Sequence, residues 1–118
     1  MKTEQAVPVR VQVHGRVPEG MRELAAAKTG TALRHLSRPV LSARVTLVVA
    51  ADPAVPRPAS AQATVDLNGR VVRAHAADET MPTAIEHMAA RLRVRLERLA
   101  VAGRRRGTER LSEHLPPS

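Results

Sequence analysis

Alternation between apolar and polar residues is the feature that most limits what this chain can fold into. Every second residue from 7 to 13 is valine, and a period of two returns over residues 40–51 and 61–67. Successive side chains of a β-strand point to opposite faces, so this period predicts strands with one buried face. The pair Asn68-Gly69 then favours a type I′ turn, which needs positive φ at both residues. We therefore predict that residues 70–75 return as a fourth strand.

Two further stretches carry apolar residues at helical spacing. The first begins near Pro18 and ends before Pro39. The second is expected from about Glu79 to Val101, with Asp78 as its N-cap. Pro82 falls in its first turn, where the missing N–H is tolerated, and Gly103 is expected to end it. The apolar residues of this second helix lie on one narrow stripe: Met81, Ile85, Met88, Leu92, Leu96 and Leu99.

The resulting order, β-α-β-β-β-α, predicts an α+β fold. A four-stranded sheet with one apolar face has to cover that face, so both helices are expected there, as a two-layer sandwich. The 118 residues include no aromatic side chain, so the core must be built from aliphatic residues, methionine and alanine. We expect one domain over residues 1–102 and a basic, disordered tail over residues 103–118.

Positive charge is the strongest indication of function. The chain has 19 Lys and Arg against 11 Asp and Glu, a formal net charge of +8, and all the cations except Lys2 and Lys28 are arginine. The planar guanidinium group pairs well with phosphate oxygens. This excess predicts a polyanionic partner, with nucleic acid ahead of an acidic membrane.

The cations of the second helix are unevenly distributed around its axis. At 100° per residue, one flank of the apolar stripe is purely cationic, whereas the other also carries Glu86 and Glu97 beside Arg93. Two interpretations stay open: the cationic flank binds a phosphate backbone, or it is a solvated face whose arginine stems cover the core edge. The cationic flank consists of His87, Arg91, Arg95 and Arg98, and Arg104, Arg105 and Arg106 continue it.

Several other classes of function are not expected. The chain has no cysteine, its histidines are scattered, and neither a phosphate-binding loop nor a nucleophile–base pair is recognisable. We therefore expect no enzyme activity, cofactor, metal or small-molecule substrate. The apolar runs are too short to span a bilayer, so we expect a cytoplasmic protein with no membrane partner. Without aromatic side chains to stack bases, a folded RNA surface suits it better than a flexible single strand.

The stretch Asp78-Glu-Thr-Met-Pro-Thr-Ala-Ile-Glu86, after a hairpin that ends in Val71-Val-Arg-Ala-His75, resembles a family signature. The family is that of the ribosome hibernation-promoting factors and ribosome-associated inhibitors, in its short form, and its pattern runs Asp-Glu-Asp-Met-Tyr-Ala-Ala-Ile-Asp. The opening strand Val9–Gly15, Pro18-Glu19 and Lys28 also match. The sequence departs at Thr80, Pro82 and Thr83, where the family has an acid, a tyrosine and an alanine.

The resemblance implies a monomer that binds 16S rRNA in the small ribosomal subunit, where it excludes mRNA and tRNA under stress. By position, Lys28 and Arg91 match basic family residues. Arg16 follows a glycine, at a position where the family often carries a basic residue. Arg93, Arg95 and Arg98 extend the same helix. The alternative is a diverged member that keeps the fold and docks an acidic protein partner without tight ribosome binding. Long members pair ribosomes through an additional C-terminal domain, so we expect no such pairing from this chain.

Overall fold

The computed structural model describes the backbone of residues 9–34, 36 and 39–114, and the side chains of this set up to Leu99. Its order is β-α-β-β-β-α, as the alternation predicted. The elements are β1 (Val9–His14), α1 (Met21–Arg34), β2 (Val40–Val49), β3 (Ala59–Leu67), β4 (Arg70–Asp78) and α2 (Met81–His114). The predicted start of the first strand at Val7 lies outside the described residues.

The four strands form one sheet in the order β1-β2-β3-β4. The β1 and β2 strands run parallel, and α1 makes the crossover that a parallel pair requires. The remaining two pairs are antiparallel. The α+β prediction is therefore confirmed, with β1 and β4 as the edge strands.

Both helices cover the same face of the sheet. The α1 helix packs on β1, α2 packs on β3 and β4, and the helices pack on each other. Small side chains dominate the covered face of the sheet, and α1 buries only Ala25, Thr29 and Ala32. The larger apolar side chains come mainly from α2, whose predicted stripe is buried throughout. A core without aromatic rings is thus filled by alanines that let the two layers approach closely and by Leu, Ile and Met from one helix.

The chain leaves β1 through Gly15, which has a φ of 84°. A Cβ atom at this position would overlap the backbone carbonyl of Val49, at the end of β2. Glycine is therefore needed here both for its conformation and for the close approach of two backbones. This turn places Arg16 at the end of the sheet.

The β3–β4 hairpin differs from the predicted type I′ turn. Gly69 has a φ of 85°, but no described residue other than glycine has a positive φ, and this excludes it for Asn68. Negative φ followed by positive φ is the pattern of a type II turn, in which glycine is needed only at the second central position. Leu67 and Arg70 still pair directly, so the two-residue connection was predicted correctly.

The start of α2 also differs from the prediction, because Thr80 is the N-cap. The amide of Ala84 donates to the Thr80 carbonyl at 3.1 Å, which is the first bond of the helix, and the Thr80 hydroxyl donates to the Thr83 hydroxyl at 3.0 Å. Asp78 instead ends β4, where it pairs with Ala59. The predicted cap at Asp78 was wrong because the strand continues three residues beyond His75.

At its other end, α2 continues past Gly103 to His114. The predicted stop at Gly103 was wrong. Gly103 and Gly107 each cost only about 1 kcal/mol relative to alanine inside a helix, and the arginine, glutamate and leucine residues around them are good helix formers. The side chains beyond Leu99 lie outside the described residues, so the division into a domain and a separate tail stays a prediction.

Candidate nucleic-acid interface

The cationic flank of α2 (His87, Arg91, Arg95 and Arg98) lies beside β4, one of the two edge strands of the sheet. Two contacts establish this placement. Arg91 Nη1 donates to the carbonyl oxygen of His75 at 2.6 Å, and His87 Nδ1 lies 3.1 Å from Asp78 Oδ2. The carbonyls on the outer side of an edge strand have no strand partner, so the Arg91 bond also satisfies a β4 backbone group. The two residues are held to the sheet by different means, one by a carbonyl and the other by a carboxylate.

Arg95 and Arg98 continue this flank one and two helical turns beyond Arg91. Both are exposed. Neither makes an ion pair with any described side chain. Their guanidinium groups therefore keep their donors available to solvent or to an anion, within the part of the chain whose side chains are described.

The opposite flank of α2 faces α1 and contains charge pairs. Lys28 Nζ, on α1, lies 3.7 Å from Glu86 Oε2, and Arg93 Nε lies 3.8 Å from Glu97 Oε2. The side chains of both pairs are 42–68% exposed. Pairs this exposed contribute about 0–1 kcal/mol each, so an incoming phosphate could replace either carboxylate at small cost.

Arg16 is not brought to the cationic flank. Arg16 is exposed, just after β1, at the other edge of the sheet. Three strand spacings, about 14 Å, separate that edge from β4. Arg104, Arg105 and Arg106 lie on the helical backbone of α2, but their side chains are outside the described part. Of the ten predicted residues, four share one flank, Lys28 and Arg93 share the side facing α1, and four lie elsewhere or are undescribed.

Sequence reasoning missed two partners of the flank. The Asp78 carboxylate accepts from the Glu79 amide at 2.8 Å through one oxygen and faces His87 with the other. The His75 carbonyl accepts from Arg91. No sequence signal identifies the carbonyl, because that contact depends on how α2 lies across β4. The Asp78 carboxylate had a sequence signal, because it immediately precedes the predicted helix start at Glu79, but that signal was interpreted as an N-cap.

The described residues also bear on metal binding and on membrane insertion. No group of three or more His, Asp or Glu side chains among them is arranged to hold a metal ion. No helix in the described part of the chain combines the length and the apolarity needed to cross a bilayer.

Comparison with known proteins supports the family resemblance. The family model described as sigma 54 modulation protein / S30EA ribosomal protein matches residues 9–101, from the start of β1 into α2. A comparison with curated proteins finds no significant match.

Two solved structures share the fold. The Protein Y N-terminal domain of Thermus thermophilus superposes with a TM-score of 0.64 at 22% identity, covering 79% of this chain and 99% of that one. A ribosomal subunit interface protein from Coxiella burnetii gives 0.59 at 15% identity, covering 78% and 98%. At these identities the likeness establishes the fold, whereas the family match rests on the sequence. The chain therefore belongs to the sigma 54 modulation protein / S30EA ribosomal protein family.

Proposed function

We propose that this protein binds 16S rRNA in the mRNA and tRNA channel of the small ribosomal subunit and inhibits translation by occupying it. The observation that carries the proposal is the exposed cationic flank of α2, in which Arg95 and Arg98 have no carboxylate partner among the described side chains. Family membership and the likeness to a Coxiella burnetii protein described as a ribosomal subunit interface protein support the choice of partner.

The contacts of the cationic flank indicate different roles for its residues. Arg91 is tied to the β4 backbone and His87 to Asp78, so these two hold the start of the flank in position. Arg95 and Arg98 have their donors available, and guanidinium–phosphate bonds can be bidentate and charge-assisted. Lys28 and Arg93 add two cations whose exposed carboxylate partners are easily displaced.

The binding experiment compares two double variants of equal charge. R95E/R98E changes the flank, while R22E/R57E changes two exposed arginines elsewhere, and each lowers the formal net charge from +8 to +4 because every replacement removes two charges. Co-sedimentation with 30S subunits and vacant 70S ribosomes is measured over a range of salt. Both variants leave the Arg91 bond intact, and far-UV circular dichroism checks their folding.

We expect R95E/R98E to lose at least about 100-fold in affinity at low salt, since hydrogen bonds to charged groups contribute roughly 1.5–3 kcal/mol each. The slope of log K against log salt should also become shallower by about 1.5, because each lost phosphate contact removes about 0.7–0.9. Equal ribosome affinity of the two double variants would show that the cationic flank is not the RNA-binding surface. Binding that survives nuclease treatment, to a single acidic protein, would favour the protein-interaction alternative.

Occlusion makes a separate prediction. If the protein occupies the channel, P-site tRNA bound with mRNA to 30S subunits should reduce its binding, and the reverse competition should show the same coupling. Simultaneous binding of protein, mRNA and tRNA without mutual displacement would leave ribosome binding in place but reject occlusion.

A further inference from the structure

The face of the sheet that the helices leave uncovered carries a second group of cations. Strand register aligns them: Arg10 on β1 is opposite Arg44 on β2, and Thr64 on β3 connects Arg44 to Arg73 on β4. All three arginines are exposed. We call Arg10, Arg44 and Arg73 the arginine row; it crosses the sheet perpendicular to the strands.

Little on this face neutralises the arginine row. Asp66, in the neighbouring row and half-buried, is the only carboxylate among the described residues of this face, and it forms no ion pair with a described side chain. The neighbouring row on the other side presents donors and acceptors that are suited to phosphate: Gln12, Thr46, Gln62 and His75.

The arginine row has an energetic cost in the isolated protein. Adjacent strands are about 4.8 Å apart, and like charges at neighbouring positions on two strands repel each other. Arg10 and Arg44 stand in this relation. An anion bound between the two guanidinium groups would relieve this repulsion, so the electrostatics of the sheet face favour anion binding.

The arginine row is also continuous with the cationic flank around the β4 edge. Arg91 reaches the backbone of His75, and Arg73 lies two residues earlier on the same strand, with its side chain on the uncovered face. The chain therefore has cations on both sides of β4, so phosphate could be contacted from either side of this strand.

We propose that the arginine row binds a second stretch of ribosomal RNA phosphate backbone, on the side of the molecule opposite the helices. This inference rests on the proposed function and extends it from one contact surface to two. The face has no aromatic side chain on which bases could stack, so the contact is to the backbone.

The test compares two triple variants with the same formal charge. R10Q/R44Q/R73Q neutralises the row, R22Q/R34Q/R57Q neutralises three exposed arginines elsewhere, and R95E/R98E reports on the cationic flank. Affinity for 30S subunits is measured over a range of salt. We expect the row variant to lose about 10- to 100-fold and its salt slope to become shallower by about 2, with little change in the control triple.

The outcomes separate the two proposals. If R95E/R98E loses binding while the row variant matches its control, the second surface is rejected and the proposed function stands. If all variants bind as the parent does, both fail. Should the triple variant not fold, the single change Arg44→Gln replaces it, because Arg44 occupies the centre of the row.

A cross-link identifies the partner of this face. The chain has no native cysteine, so Gln62→Cys offers a unique attachment site beside the row for a photo-activated cross-linker. We expect cross-links that ribonuclease removes. Cross-links only to ribosomal proteins, or none from a bound complex, would overturn the assignment to RNA.

Discussion

Gly15 is the position where the structure makes its sharpest stability prediction. Replacing it by alanine forces a residue with a Cβ into a φ of 84°, which costs about 1–2 kcal/mol. The new Cβ would also overlap the carbonyl oxygen of Val49. That oxygen belongs to the backbone, so the ends of β1 and β2 must separate and weaken one or two hydrogen bonds, at roughly 1 kcal/mol each. We expect Gly15→Ala to lower the free energy of unfolding by about 2–4 kcal/mol.

Gly69→Ala is the matched control, because Gly69 has a φ of 85° and open space around its Cβ position. It should cost only the conformational part, about 1–2 kcal/mol. Urea titration followed by far-UV circular dichroism measures both, since a chain without tryptophan or tyrosine has no useful intrinsic fluorescence. Equal losses for the two variants, or a larger loss at Gly69, would refute the close approach of β1 to the end of β2.

Four other substitutions, one of them a control, probe the core and the start of α2, and the same urea titration measures them. Thr29 is fully buried and its hydroxyl has no partner in the described part of the chain, so Thr29→Val should stabilise by about 1 kcal/mol; a loss would mean that the hydroxyl is bonded. Leu92→Ala should cost about 2–5 kcal/mol, while Val94→Ala, at a position 42% exposed on the same helix, should cost under about 1; similar losses would contradict the placement of the buried stripe. Thr80→Ala should cost up to about 1 kcal/mol, because it removes the exposed hydrogen bond from the Thr80 hydroxyl to the Thr83 hydroxyl in the first turn of α2; no change would mean that this bond does not stabilise the helix.

The sequence was sufficient for the number and order of elements because both depend on short-range periodicity. Alternation over β2 and β3 identified which residues would be buried, and all the α2 stripe residues named in advance are in the core. A period of two or 3.6 survives any rearrangement of the elements, so it can be recognised without knowing the neighbours.

Element ends were less predictable, since they depend on which of two acceptable local solutions the tertiary structure selects. Asp78 and Thr80 are both good N-cap residues. Thr80 is the N-cap of α2 because Asp78 pairs with Ala59 and therefore belongs to β4. Asn68-Gly69 likewise permits more than one turn, and Gly103 is tolerated within a helix. In each case the residue type was informative and the outcome depended on contacts elsewhere.

The candidate site was also predictable only where it depends on local sequence periodicity. A helical projection separated the cationic flank from the mixed one, but it could not show that the first faces β4 and the second faces α1. The arginine row was entirely missed: Arg10, Arg44 and Arg73 are far apart in the sequence, and only the strand register aligns them. Long-range pairing of this kind has no local sequence signal.

Under the proposed function, the charge pairs on the side facing α1 belong to the binding surface as well. At this exposure each ion pair contributes about 0–1 kcal/mol to stability. A charge-assisted hydrogen bond to phosphate contributes roughly 1.5–3 kcal/mol to binding. Lys28 and Arg93 therefore bind phosphate more strongly than they bind their carboxylate partners. Glu86 and Glu97 would become solvated when RNA binds. It follows that Glu97→Gln should strengthen ribosome binding slightly while leaving stability within about 0.5 kcal/mol of the parent. A variant that instead weakens binding would show that the Arg93–Glu97 pair orients the arginine for RNA.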